Sequence, residues 1–88
     1  MSFYVYILQS LKDKSYYKGF TENPTLRLQQ HNAGESKYTA TKIPWKLVYI
    51  EELSTKKEAL IREKYLKKLE RSRIELLIDS PKNIHTIQ

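Results

Sequence analysis

The 88-residue chain has no cysteine, which excludes a disulfide framework and a thiolate metal centre and suits a reducing compartment. Its two histidines, His31 and His85, are too few for an all-histidine metal site. With only two glycines and three prolines against 40% hydrophobic residues, fibrous and disordered classes are excluded. No apolar run approaches the roughly 20 residues that cross a bilayer. The start, Met1-Ser2-Phe3-Tyr4, lacks the basic run, apolar core and cleavage site of a secretory signal. These absences lead to the expectation of one small cytoplasmic domain without a membrane partner, burying roughly 60 to 65 per cent of its unfolded surface.

Acid is also scarce, with 10 Asp and Glu against 16 Lys and Arg, a net charge of +6. The excess is local: Lys56, Lys57, Arg62, Lys64, Lys67, Lys68, Arg71 and Arg73 face only Glu58, Glu63 and Glu70. Such a patch favours polyanions, nucleic acid before anionic membrane, because each neutralised phosphate releases condensed counterions. A solvated helix face is the plain alternative.

What is present divides into six elements. Residues 3–8 and 16–20 are apolar and aromatic, and the polar link between them has hairpin length. If Ser10 faces Ser15, Tyr6 lies opposite Gly19 and Leu8 opposite Tyr17, which puts Tyr6 and Tyr17 on one face as diagonal neighbours. Asn23 as cap and Pro24 at the first position predict a helix over 24–33 that stops at Gly34. Leu26, Leu28 and Ala33 are its expected anchors, with Gln30 left for solvent or a site, and the four-residue spacing puts Arg27 and His31 together on one face. Residues 35–43 read as a surface loop, with Ser36-Lys37-Tyr38-Thr39 exposed, and residues 45–53 as a third strand. Thr55 and Glu58 form a capping-box signature ahead of a long helix running to Leu69, with helical spacing through Ala59, Leu60 and Leu66 and the neighbouring Ile61, Tyr65 and Leu69. Arg71-Ser72-Arg73 reads as a break before a shorter helix through Ile74, Leu76, Leu77 and Ile78. The order β-β-α-β-α-α predicts an α+β fold with a small three-stranded, mainly antiparallel sheet flanked by helices. It is read as a single domain over 1–80 with a patternless tail over 81–88.

Chemistry is concentrated in few residues. Glu63 follows Ala59 and Leu60 and precedes Leu66, so its carboxylate is expected on an apolar face with no charge partner at i±4. It must then be paired, hydrogen-bonded, metal-bound or protonated, or sit at the rim with its head in water. Seven tyrosines, among them Tyr4, Tyr6, Tyr16 and Tyr17 in the hairpin, exceed what a small core requires, and Tyr6 with Tyr17 is the best pair for positioning a phenol near phosphate or water. Arg27 matches phosphate oxygens with its fork of donors, and His31 is placed to relay a proton.

With Tyr4-Val5-Tyr6, Tyr17-Lys18-Gly19, Arg27, His31 and Glu63 in this order, the sequence resembles the GIY-YIG nuclease superfamily over about residues 3–80. Ser36-Lys37-Tyr38-Thr39, Pro44-Trp45-Lys46-Leu47-Val48-Tyr49 and Arg62-Glu63-Lys64 are similar to its small stand-alone bacterial branch. Tyr4 stands where the family has its first glycine and Lys18 where it has an aliphatic residue. No C-terminal asparagine aligns, although Asn83 is available.

The resemblance implies a three-stranded sheet with helices and a metal-dependent endonuclease acting on DNA, as in repair or recombination. Glu63 would hold one divalent ion, magnesium or manganese, and Arg27 would stabilise the scissile phosphate. Tyr6 or Tyr17 would orient or deprotonate the attacking water with help from His31, which is expected at the edge of an open concavity. Lys18, Lys37, Lys56, Lys64, Lys67, Lys68, Arg71 and Arg73 would contact nucleic acid. Eighty-eight residues leave no room for a separate DNA-binding domain, so the basic helix or a protein partner must supply the grip. The second reading is a nucleic-acid-binding or partner-dependent module that keeps the fold without turnover.

Overall fold

A computed structural model describes residues 2–85. Met1 and the last three residues of the expected tail lie outside the described residues. Strands β1 (Phe3–Ser10), β2 (Tyr16–Thr21) and β3 (Trp45–Leu53) form one antiparallel sheet in the order β2-β1-β3. Helices α1 (Pro24–Asn32), α2 (Lys56–Lys67) and α3 (Arg71–Ile78) complete an α+β fold.

The central strand explains the continuous apolar run. Val5 and Ile7 point to one face, where Val48, Tyr49, Ala59, Leu66 and Ile74 close the main core. Tyr6 and Leu8 point to the other and pack with Trp45, Tyr17, Leu28, Ile43 and Leu47. The hairpin has the anticipated register, with Tyr6 opposite Gly19 and Leu8 opposite Tyr17. Between β1 and β3 the register shifts, Ile7 facing Tyr49 and Leu8 facing Leu47. The extra residue, Val48, thereby joins Tyr49 in the same core.

Helix α1 starts as anticipated, with the Asn23 side chain accepting from the Leu26 amide at 3.1 Å, and Gly34 takes the left-handed conformation just beyond its end at φ 79°. Its anchoring differs from the expectation: Leu26 is 48% exposed and Ala33 is also exposed. Leu28 does pack, but His31 and Asn32 supply the rest. The Asn32 amide donates to the Trp45 carbonyl at 3.0 Å and accepts from the Trp45 N–H at 2.7 Å, tying the end of α1 to the start of β3. A polar residue that satisfies both backbone groups of a strand end does here what an apolar contact was expected to do.

The connection over 35–43 contains a short 3-10 turn at Ala40–Lys42. Thr39 within it is buried, which corrects the expectation of exposure: the Trp45 indole N–H donates to its carbonyl at 3.0 Å, drawing the residue under the sheet. Helix α2 has the full capping box at Thr55 and Glu58, but ends at Lys67, before Leu69. Its buried stripe is narrower than its sequence pattern implies. Ala59 and Leu66 are buried, whereas Leu60, Ile61 and Tyr65 are exposed because the three-stranded sheet offers too little width to cover them. Helix α3 begins at Arg71, so the stretch read as a break is helical and the break lies at 68–70. The start of the tail is not patternless: the Asn83 amide donates to the carbonyls of Val48 and Ile78, both at 2.9 Å, and accepts from Ile50 N at 3.1 Å.

Candidate functional site

Alternation along β1 turns Tyr6 towards α1, directly over Gly19. A Cβ on Gly19 would lie 2.7 Å from the Tyr6 Oη and 2.8 Å from its Cζ, so only glycine leaves room for the ring to cross β2. The phenol oxygen then stands 3.0 Å from Nε2 of His31, and Nδ1 of His31 stands 2.7 Å from Oγ1 of Thr39. His31 has no exposed surface. It is therefore a buried partner of Tyr6 and not the edge of the concavity, because the α1 face that carries it is turned onto the sheet. Tyr17 joins the group, its ring 4.9 Å from the imidazole and 6.3 Å from the Tyr6 ring, and the exposed Tyr38 ring lies 5.8 Å further out.

Burial sets the protonation states. It pushes the Tyr6 phenol up to about 12, with the neighbouring Tyr17 and Glu63 adding to the rise while Arg27 opposes it. Burial, and secondarily the Arg27 charge, takes His31 down to about 4, so the imidazole is neutral at pH 7. The group at rest is thus an uncharged phenol and an uncharged imidazole beside one guanidinium. Nη1 of Arg27 donates to the Gln30 side chain at 2.9 Å, which holds the fork in place.

Glu63 has the low exposure anticipated for it, 18% of its side chain, but Lys67 Nζ stands 3.6 Å from its carboxylate. The pair is i,i+4 on α2, and it overturns the expectation of an unpartnered acid. Lys67 also lines a cleft with Tyr16, Tyr17, Lys18 and Tyr38. Successive strand residues point to opposite faces, so a cleft lined by Tyr16, Tyr17 and Lys18 together wraps the open edge of β2 instead of occupying one sheet face. Burial in this setting lowers the Lys18 amine's pKa.

The other anticipated cations are dispersed. Arg71 lies over the Tyr16 ring at 4.8 Å and pairs with Glu75. Arg73 lines a separate cleft with Arg62, Tyr65 and Leu76. Lys37, Lys56, Lys64 and Lys68 are exposed.

Among the described residues no three acidic, histidine or cysteine side chains cluster as a metal cage. Glu63 alone is a donor set that fits a cation held largely by water and substrate oxygens, the habit of magnesium. Asn83 has its amide engaged along β3 and is not available as a further ligand.

Thr39, the steric role of Gly19 and the clamp by Asn32 escape sequence reasoning. Thr39 is eight residues beyond His31 across an irregular segment, where no periodicity signals that they touch. The usable hint is the run Ser36-Lys37-Tyr38-Thr39, which carries part of the family resemblance and includes Thr39.

Comparison with known proteins bears on the family and the fold. The family described as GIY-YIG catalytic domain matches residues 2–75. A UPF0213 protein of Clostridium perfringens is 49% identical over 78 residues, covering 88% of this chain and 83% of the relative. One from Bacillus licheniformis is 47% identical over 79 residues, covering 89% and 80%. The solution NMR structure of a UPF0213 protein from Bacillus halodurans superposes with a TM-score of 0.58 at 36% identity, covering 93% of this chain and 87% of that one. Sequence and fold place this chain alike: it belongs to the GIY-YIG nuclease superfamily, alongside the UPF0213 proteins.

Proposed function

We propose that the chain is a metal-dependent endonuclease that hydrolyses phosphodiester bonds in DNA. The observation that carries this reading is the packing of Tyr17 and His31 against the Tyr6 phenol beside the Arg27 guanidinium. Arg27 is always charged, so its role is to donate to phosphate oxygens and to stabilise charge that develops on them. Tyr6, pushed up to about 12, keeps its proton at neutral pH and orients the attacking water as a neutral phenol unless positive charge beside it rises. Tyr17, nearer the open cleft, is the second phenol for that role. Lys18 and Lys67 flank the entrance and draw in the backbone.

A divalent ion bound at Glu63 would supply Lewis-acid polarisation of the phosphate and a more acidic water. Lys67 then has to release the carboxylate, a small demand for a pair whose lysine is 57% exposed. A cytoplasmic role in DNA repair or recombination, with a protein partner supplying specificity, follows from the same reading.

The test is cleavage of single-stranded, duplex, branched and damaged DNA, and of RNA, by purified protein with and without magnesium. Glu63→Gln and Arg27→Ala should each lower turnover by about 100-fold or more while keeping the fold and low-salt DNA binding. Full activity in Glu63→Gln would sink the metal assignment. Salt-sensitive binding with no cleavage of any substrate would instead identify a binding module that retains the fold.

A further inference from the structure

We infer that Thr39 is a positioning residue: its hydroxyl donates to Nδ1 of His31 and holds the imidazole as the Nε2–H tautomer, so that His31 presents an N–H to the Tyr6 phenol oxygen. The count of donors carries the assignment: Nδ1 of His31 stands 2.7 Å from Thr39 Oγ1 and Nε2 stands 3.0 Å from the Tyr6 phenol oxygen, and what separates the two directions is where the threonine proton can go. The opposite tautomer would have Nδ1–H donate to Thr39 and leave the threonine hydroxyl only the Ser36 carbonyl, at 3.5 Å, the limit of a hydrogen bond. It would also turn the Tyr6 hydroxyl inward as the donor to Nε2.

Thr39 is held where this geometry needs it. Its carbonyl accepts from the Trp45 indole, its amide donates to the Ser36 carbonyl at 3.2 Å, and Trp45 is in turn clamped by Asn32 at the end of the helix that carries His31. Both partners are fully buried, so water does not compete for Nδ1. The consequence is directional. With its oxygen accepting from His31, Tyr6 keeps its own proton free to donate to another partner, and any negative charge gained by the phenol is met by the imidazole N–H as well as by Arg27.

The catalytic consequence rests on the nuclease reading above; the tautomer does not. Long-range proton–nitrogen correlation on the full chain with 15N-labelled histidine reads it directly. Wild type and Thr39→Ser should show His31 with a protonated Nε2 and an unprotonated Nδ1, whereas Thr39→Val, which keeps the shape but removes the hydroxyl, should lose that preference. In cleavage assays Thr39→Val should lower kcat on the order of 10- to 100-fold with KM little changed, and Thr39→Ser should restore it. A protonated Nδ1 in the wild type overturns the assignment, as does an unchanged tautomer in folded Thr39→Val, and the wild-type measurement alone decides if Thr39→Val does not fold. An Nε2–H imidazole in a wild type that cleaves nothing supports the positioning role and counts against the nuclease reading alone.

Discussion

Gly19 and His31 mark what a residue's type conveys without its neighbours. Gly19 is the last residue of the second tripeptide, and its reason is steric, since its backbone passes beneath a tyrosine ring that is 1% exposed and has nowhere to retreat. Gly19→Ala should therefore overpack the site, costing about 1 to 3 kcal/mol in denaturant unfolding and displacing the phenol from His31. Unchanged stability and activity would show that the ring moves freely. His31 was legible as a site residue but not as a buried one, because helical spacing says which residues share a face and is silent on which way that face turns. Its burial has a thermodynamic signature. The folded protein takes the proton only near pH 4, while the unfolded chain takes it near 6.5, so the unfolded state binds more protons between these values and stability must fall as pH is lowered through that window. His31→Gln should flatten this part of the curve of unfolding free energy against pH. An equal slope in the variant would assign the acid sensitivity to other groups.

At the scale of elements, ends were easier to read than faces. Asn23, Gly34 and the Thr55–Glu58 box place helix termini through backbone hydrogen bonds that are local in sequence, and the hairpin register follows from a short link. The buried stripe of α2 was over-read because amphipathic spacing does not say how wide a partner surface is. Ile61 at 62% and Tyr65 at 50% exposure remain outside it. Anchors were misread on α1, where long-range hydrogen bonds replace apolar contacts. Replacing Asn32 by Ala should leave the Trp45 N–H and carbonyl without their partner, so a loss of about 1 to 3 kcal/mol is expected in chemical unfolding. The same variant should loosen His31, and the Tyr6–His31 contact should weaken by the chemical shifts of both rings. Asn32→Ala at wild-type stability would mean that the apolar contacts of Leu28 suffice to seat the helix.

For the molecule as a whole, net charge predicted a polyanion partner, but its distribution had to be seen. The basic run from Lys56 to Arg73 is split by the fold. Lys67 reaches the cleft around the β2 edge, Arg71 covers Tyr16, and Arg73 opens onto a different cleft beyond α2 and α3. Lys18, by contrast, comes from the other end of the sequence and lines the same cleft as Lys67, so cations from a strand and a helix 49 positions apart (67 − 18) meet at one entrance. If DNA follows that entrance, charge removal should matter by place and not by number. Lys18→Gln should reduce the slope of log affinity against log salt on duplex DNA by about 0.9, the share of one phosphate contact, whereas Arg73→Gln should leave it nearly unchanged. Titrations of labelled duplex at several salt concentrations, with unfolding curves to confirm that both variants are folded, measure the two slopes side by side. Equal reductions would mean that the nucleic acid spreads over the helical face without engaging the cleft, and a larger effect from Arg73 would move the binding path to the α2–α3 side, away from Tyr6 and Arg27.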